Sequence, residues 1–402
     1  MIPQEPGEPL RPDVLEHIPH GAVLCVVGAR PNFMKIAPIM EALGTGPAPV
    51  PACLLHTGQH YDAGMKEAFF TQLGIPEPDV DLGVGSGSHA VQTAEIMRRF
   101  EPVVDALRPG ALLVVGDVNS TIACGLVAAK KGVPVIHVEA GLRSFDRAMP
   151  EEVNRVLTDQ ISDLLFTTEA SARANLTREG IDPARIHFVG NVMIDTLRRH
   201  LERAVPAADT LEGWGAPGLD GARGPHYAVL TLHRPSNVDD SGTLERLVAA
   251  VTEISREIPV VFPVHPRTAG ALARAGLDRR LGAEPGVRVL PPVGYLEMLG
   301  LMAGARMVLT DSGGMQEETT ALGIPCITIR ENTERPITVE EGTNTVVGTD
   351  RERILAVVRD ILSTGGKGGR VPQLWDGRAA HRICEVLAAW MTARRGAPAG
   401  GL

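Results

Sequence analysis

The stretch that decides the fold is ALLVVGDVNSTIACGLVAAKKG, residues 111–132. Ala111–Val115 is an unbroken apolar run of strand length, the pattern of a strand covered on both faces. Gly116 and Asp117 close it. The small and apolar residues that follow read as a helix, with Ser120 or Thr121 in position to cap its start. A strand that passes through a short polar loop into a helix is the repeating half of a parallel sheet.

The alternation runs outward in both directions. Upstream, AVLCVVGA (22–29) leads to a helical pattern at 32–43 and VPACLLH (50–56) to a helix near 63–73, and a longer helical stretch covers 89–107. Downstream, VPVIHVEAG (133–141), LLFTT (164–168) and RIHFVG (185–190) are each followed by helical spacing. Residues 206–225, PAADTLEGWGAPGLDGARGP, break the pattern, and their Gly and Pro content marks a linker or surface loop. The alternation restarts at YAVLTLH (227–233) and continues through PVVFPVH (259–265), VRVLPP (287–292), RMVLTD (306–311), PCITI (325–329) and NTVVG (344–348). A second weak point, STGGKGGRVPQ (363–373), precedes a last amphipathic helix at 378–394. The expected organisation is α/β: a flexible leader (1–20), a first domain (21–205), the linker (206–225), a second domain (226–372), and a C-terminal segment (373–402) whose helix returns to brace the first domain.

At 402 residues the chain is long enough for two domains with separate cores. Its 44% hydrophobic and 22% charged content is that of soluble globular proteins. Aromatics are only 3%, which argues against stacking platforms for single-stranded nucleic acid. A net charge of −9 disfavours nucleic acid and anionic membrane as main partners. The longest apolar runs are strand-length, so no membrane span is expected. Cys25, Cys53, Cys124, Cys326 and Cys384 are scattered, with no CxxC or Cys/His metal spacing, and read as reduced, mostly buried thiols of a cytoplasmic protein. Residues 1–20 are Pro-rich and acidic and lack the basic and apolar regions of a signal peptide.

In open parallel sheets ligands bind beyond the carboxyl ends of the strands, and the polar residues gather there. GARPNFMK (28–35) places Arg30 and Lys35 near a helix start, as a phosphate site does, although two solvated basic residues beside a turn give the same pattern. It matches neither GxGxxG nor a Walker loop. Asp117 ends one strand, and alone it could simply cap its loop. Glu139, in HVEAGLRS (137–144), lies just past another buried strand, where a carboxylate is costly unless paired or functional. Glu151 and Arg155, in MPEEVNR (149–155), are spaced i, i+4, and as a surface salt bridge would contribute only about 0.3–0.5 kcal/mol. Three carboxylates on one sheet edge repel, which raises at least one pKa and suits acid/base chemistry. His233 and Arg234 (TLHRPSN, 231–237) and His265 (PVHPRT, 263–268) occupy matching strand ends in the second half. Last comes TDSGGMQEE (310–318), followed by RENTERP (330–336) with Arg330 and Arg335. Its glycine pair ahead of a helix suggests an anion site, whereas Glu317 and Glu318 one turn in do not.

Taken in order over residues 22–348, the segments GARPNFMKIAP, TGQHYD, GDVNST, HVEAGLRS, PEEVNR, GNVMIDTL, TLHRPSNVD and TDSGGMQEE, then LGIPCITIRENTERP and EGTN, resemble the non-hydrolysing UDP-N-acetylglucosamine 2-epimerases. The resemblance implies the glycosyltransferase-B fold, two Rossmann-like domains facing a central cleft. It implies conversion of UDP-N-acetylglucosamine to UDP-N-acetylmannosamine, with a UDP-N-acetylhexosamine as the small-molecule partner, no cofactor and no metal, and a homodimer. The family's route is elimination of UDP to 2-acetamidoglucal and re-addition with the proton delivered to the other face of C2.

Carried over by resemblance, Asp117, Glu139 and Glu151 match the catalytic carboxylates, and His233 a histidine important for activity beside the diphosphate. Lys35, Arg30 and Arg155 match positions on the sugar and phosphate side, and His265 joins the substrate-binding set. Ser312, Gly313 and Gly314 match the loop that cradles the diphosphate, Glu318 the glutamate that accepts the ribose hydroxyls, and Arg335 an arginine completing the cleft. Glu317 points about 100° away from Glu318 around the helix and is expected to be structural or at the surface. Gln59 and His60 resemble the region where some members bind a second, activating UDP-N-acetylglucosamine. The chain departs from the family with GARPN where many members have GTRPE, and with Asp62 in place of a glutamine of that activating region. Two alternatives share the nucleotide site: a glycosyltransferase of the same fold, and a hydrolysing epimerase that releases UDP and N-acetylmannosamine. A nicotinamide-dependent sugar epimerase is disfavoured by the lack of GxGxxG and YxxxK. The Ala-, Gly- and Arg-rich composition suits a high-GC bacterium, where such enzymes serve polysaccharide or specialised-metabolite pathways.

Overall fold

The structure, a computed structural model, describes residues 18–46, 49–58, 72–213 and 227–396. The chain divides into two compact units, residues 1–196 with 373–402 and residues 197–372.

The first unit is built on seven strands: β1 (Val23–Val27), β2 (Ala52–His56), β3 (Val80–Asp81), β4 (Ala111–Val115), β5 (Val135–Val138), β6 (Leu164–Thr167) and β7 (Ile186–Phe188). Between them run α1 (Arg30–Thr45), α2 (His89–Leu107), α3 (Asn119–Lys130), α4 (Pro150–Ile161) and α5 (Ala170–Arg178), and α6 (Val192–Leu201) follows β7. All pairings are parallel, in the order β3-β2-β1-β4-β5-β6-β7. Every residue of β1, β4, β5 and β6 is buried, as expected for strands covered on both faces. The order reverses between β1 and β4, and the loops leaving these strands open at that switch point.

The second unit repeats the plan. Helix α7 (Ala207–Gly213) precedes β8 (Ala228–Thr231), α8 (Pro235–Val238), α9 (Ser241–Ile254), β9 (Val260–Pro263), α10 (Pro266–Ala275), α11 (Asp278–Ala283) and β10 (Val287–Leu290). Then come α12 (Tyr295–Ala303), β11 (Met307–Thr310), α13 (Gly313–Leu322), β12 (Cys326–Thr328), α14 (Pro336–Glu340), β13 (Asn344–Val346) and α15 (Arg351–Thr364). The strand order is β10-β9-β8-β11-β12-β13, again all parallel, with its switch point between β8 and β11.

After α15 the chain rejoins the first unit, where α16 (Ala379–Gly396) packs against α1. Asp195 at α6 fixes its start, accepting from the backbone N–H groups of Ala379 (3.1 Å) and Ala380 (2.7 Å). Trp375, 1% exposed, donates its indole N–H to the carbonyl of Thr168.

Several sequence expectations change in detail. The first unit ends inside α6, at residue 196, nine residues before the expected boundary. Part of the expected linker is helix α7, because Thr210 and Leu211 have buried positions to fill; residues 214–226 lie outside the described residues. The helix expected near 63–73 falls mostly outside them as well. Neither Ser120 nor Thr121 caps α3, whose cap position is Val118. Ser120 instead hydrogen-bonds Thr57 (2.7 Å), and Thr121 donates to the Val115 carbonyl (3.2 Å). All five cysteines are free and buried. No helix among the described residues is long and apolar enough to cross a membrane.

Candidate active site

In the first unit the loops after β1, β4 and β5 converge on one edge. Gly28 ends β1 with no room for a side chain: a Cβ there would sit 2.8 Å from both the Ser120 Cβ and the Thr57 hydroxyl. Asn32, in the first turn of α1, accepts from the Ala29 backbone N–H (3.1 Å) and donates to the Val115 carbonyl (2.7 Å), tying the β1 loop to the end of β4. A glutamate here could take the first bond, but an ionised carboxylate has no donor for the second.

One turn on, Lys35 forms a buried ion pair with Glu139. Gly116 is required beside them on two grounds. Its φ is +67°, and a Cβ would stand 2.9 Å from the Lys35 amine and 3.5 Å from Glu139. Glu139 itself has φ +72°, a conformation side chains other than glycine rarely adopt, and one that clusters at functional sites.

Asp117 follows Gly116 and remains 24% exposed at its side chain. Its Oδ2 accepts from Arg155 Nε (3.1 Å) and Nη2 (2.5 Å), and its backbone carbonyl accepts from Asn154 (2.9 Å). Arg155 is 3% exposed and reaches Glu152 as well, at 2.9 Å, so it is a buried cation and not a surface partner. Glu152, which spacing did not single out, also accepts from the Ser144 N–H and hydroxyl and from the Phe145 N–H. Glu151, half-buried, opens the same helix. Two of the three expected carboxylates, Asp117 and Glu139, are thus each paired with a buried cation, Arg155 and Lys35. The described part of Arg30 is its place at the start of α1; Gln59 and His60 lie outside the described residues.

In the second unit the organising residue is Asp311, one past β11 and fully buried. It accepts from the backbone N–H groups of His233 and Arg234, from Asn237 Nδ2 (3.1 Å) and from His233 Nδ1 (2.8 Å). Burial alone would raise its pKa, but the His233 contact and the backbone donors outweigh it and hold the carboxyl below its ordinary value. An ionised Asp311 fixes the Nδ1 proton on His233 and leaves Nε2 as the ring's second nitrogen. His265 caps α10, its Nδ1 accepting from the Arg267 N–H (3.2 Å), with its ring centroid 5.8 Å from that of His233. Asp311 carries the same signal as Asp117, a carboxylate at the end of a buried strand, and that rule applied evenly would have found it.

Ser312 occupies the cap position of α13 without a side-chain cap bond, and Gly313 and Gly314 form its first turn. A Cβ on Gly313 would lie 2.6 Å from Arg335 Nη1 and 2.8 Å from Glu334 Oε1. Arg335 pairs with Glu334 (2.5 Å) and Glu317 (2.9 Å), and Glu334 also meets Arg330 (2.7 Å) and, more distantly, Arg234 (3.7 Å). Three guanidinium groups therefore stand around two buried carboxylates beside the helix start. Glu317 is 1% exposed and structural, holding Arg335 in place. Glu318, 4% exposed, accepts the Tyr295 hydroxyl at 3.1 Å. Burial, opposed by the Tyr295 bond and aided by the Glu317 charge, pushes its pKa up to about 8.

A chain with this double parallel plan and these two loop clusters matches known proteins over most of its length. Residues 48–388 match the family model for UDP-N-acetylglucosamine 2-epimerase. A UDP-N-acetylglucosamine 2-epimerase of Methanocaldococcus jannaschii is 40% identical over 364 residues, covering 90% of this chain and 97% of that protein. A UDP-2,3-diacetamido-2,3-dideoxy-D-glucuronate 2-epimerase of Pseudomonas aeruginosa is 42% identical over 370 residues, covering 91% and 99%. Among solved structures, the Methanocaldococcus jannaschii UDP-GlcNAc 2-epimerase in complex with UDP-GlcNAc and UDP superposes with a TM-score of 0.82 at 39% identity, covering 92% of this chain and 99% of that one. The fold is accordingly the glycosyltransferase-B-like pair of Rossmann-like sheets seen in those structures. With the family model matched along most of the chain, and both parallel sheets and the motif loops accounted for, this protein belongs to the UDP-N-acetylglucosamine 2-epimerase family.

Proposed function

We propose that the protein epimerises UDP-N-acetylglucosamine at C2 to UDP-N-acetylmannosamine, without hydrolysis. The observation that carries this reading is the edge of the first sheet, where two carboxylates, Asp117 and Glu139, are each held by a buried cation, and Glu151 opens the helix that carries one of those cations. A glycosyltransferase would need the nucleotide site but not this set.

The C2 proton is not acidified by an adjacent carbonyl, so its removal is coupled to departure of UDP. A base takes the proton as the C1–O bond to UDP breaks and a C1=C2 double bond forms. UDP then adds back at C1, and an acid delivers a proton to the opposite face of C2. We assign the C2 acid/base role to Asp117, held by Arg155, with Glu139 and Glu151 completing the set. Lys35 and Arg155 hold Glu139 and Asp117 in place, and Arg30 is assigned to the same side. The nucleotide falls to the second unit. The backbone N–H groups at the start of α13 and the arginines around Glu334 suit a diphosphate, with His233 and His265 beside it. Glu318, which accepts one hydroxyl from Tyr295, is assigned the ribose. Free, buried thiols fit a cytoplasmic enzyme, and the family resemblance fits a homodimer.

The test is turnover of UDP-N-acetylglucosamine in D2O. Deuterium at C2 and the mannosamine product are expected, whereas no exchange would falsify the reading. Free UDP rising in step with N-acetylmannosamine would convert it to the hydrolysing alternative. The 42% identity to the Pseudomonas aeruginosa enzyme favours a second substrate, a UDP-2,3-diacetamido-glucuronate. Comparing kcat/KM on the two sugars decides between them, and sedimentation velocity decides the dimer.

A further inference from the structure

Beneath the carboxylates of the first unit lies a buried cluster that the roles above leave unused. His137, on β5, and Asp159, on α4, have no exposed side-chain surface. His137 Nδ1 is 2.7 Å from Asp159 Oδ1, and its Nε2 is 2.8 Å from the carbonyl oxygen of Gly116. The other oxygen of Asp159 accepts from the backbone N–H of Gly141 (3.1 Å) and pairs with Arg143 (2.7 Å), which in turn binds Glu179. A carbonyl only accepts, so His137 Nε2 carries a proton.

The two backbone groups held here flank the two ion-paired carboxylates. Gly116 immediately precedes Asp117, and Gly141 follows Glu139 by two residues. Both loops turn through left-handed residues, Gly116 (φ +67°) and Glu139 (φ +72°), where the backbone needs outside support to stay. One buried carboxylate thus reaches both loops, the first through an imidazole and the second through an amide.

We propose that His137 is a positioning residue for the reaction. Its Nε2–H clamps the Gly116 carbonyl and so fixes the turn that presents Asp117, while Asp159 fixes the ring and the Glu139 loop together. The proposal rests on the functional reading above.

Two substitutions separate the clamp from its support. In His137→Gln the side-chain amide falls where Nε2 was, keeping a donor for Gly116 and losing Asp159. In His137→Asn it falls where Nδ1 was, keeping Asp159 and losing Gly116. Each variant loses one buried hydrogen bond, so a purely structural role lowers their melting temperatures and their kcat alike. A misplacement of about 1 Å at the reacting group lowers the rate by about 10²-fold, so that loss of kcat is expected in His137→Asn, with KM and UDP affinity retained. His137→Gln is expected to stay within about tenfold of wild type, the scale of one lost hydrogen bond. Equal kcat losses in the two variants, or wild-type kcat in His137→Asn, would overturn the proposal. Should either variant fail to fold, the wild-type protein labelled with [15N]histidine still decides: a proton on Nε2 of His137 is expected, and a ring protonated at Nδ1 alone overturns it. Absence of C2 exchange by the wild type defeats the functional reading instead, so the two failures are distinct.

Discussion

Asp117 and Asp311 occupy equivalent places. Each ends the strand that flanks the switch point of its sheet, β4 in the first unit and β11 in the second. Their surroundings differ. Asp117 leaves a quarter of its side chain in contact with solvent and is gripped from one side by Arg155. Asp311 is sealed, and its two oxygens receive two backbone N–H groups, an amide and an imidazole. The same sequence sign therefore marks two jobs. A carboxylate that keeps contact with solvent can exchange a proton with a ligand. A carboxylate saturated with donors can only hold its neighbours in place.

The comparison predicts opposite phenotypes from the same substitution. Asp117→Asn is expected to lose about 10²–10⁴-fold in kcat, the scale of a removed acid/base group, while UDP affinity and melting temperature change little. Near-normal turnover would remove Asp117 from the chemistry. Asp311→Asn turns an amide NH2 toward groups that are themselves donors. Its expected loss is about 1–3 kcal/mol of stability, the cost of buried groups left unsatisfied, together with weaker UDP binding as His233 loses its orientation. Calorimetry and a UDP titration check both variants. If Asp311→Asn melts like wild type and binds UDP normally, the anchoring role is wrong.

The contrast also shows what a sequence can and cannot reveal. The strands were legible because each buried one is a short apolar run closed by a polar loop. Helix α2 was legible to the residue from its spacing. Strand β3 was not, since two residues carry no pattern. Asp117 and Glu139 stood out because charged groups just past buried strands need a reason, and Lys35 because it adds positive charge near a helix start. Glu152, Asp159 and Glu334 did not, because they sit on helices or loops where acidic residues are ordinary. Two of the pairings come from afar, Arg155 with Asp117 across 38 positions and His137 with Asp159 across 22, whereas Glu152 meets Arg155 and Glu334 meets Arg330 three and four residues apart. Spacing rules see only neighbours three or four apart on a helix. The pairing of buried Arg155 with Asp117 was not legible for that reason.

The smallest effect concerns a third carboxylate, which tests whether the number of donors or the depth of burial sets ionisation. Glu318 is nearly as deep as Asp311, yet its bond comes from the single hydroxyl of Tyr295 and its neighbour Glu317 adds like charge. Asp311 is held below its ordinary pKa, whereas Glu318 is raised from 4.5 to about 8. A raised folded-state pKa means that the folded protein binds the proton more tightly than the unfolded chain does. The stabilising contribution of protonated Glu318 is therefore full below pH 4.5 and is lost as pH rises through 8. Asp195, raised to about 6 by burial, behaves the same way over a lower window, but it is present in both proteins and cancels from their difference. Glu318→Gln keeps the size of the side chain and removes the titration. Without nucleotide, the melting temperature of Glu318→Gln minus that of wild type is expected to grow more positive between pH 5 and pH 9. A difference that stays flat across that range would mean that Glu318 is ionised throughout, and that burial with one hydroxyl donor suffices to keep a carboxylate charged in this fold.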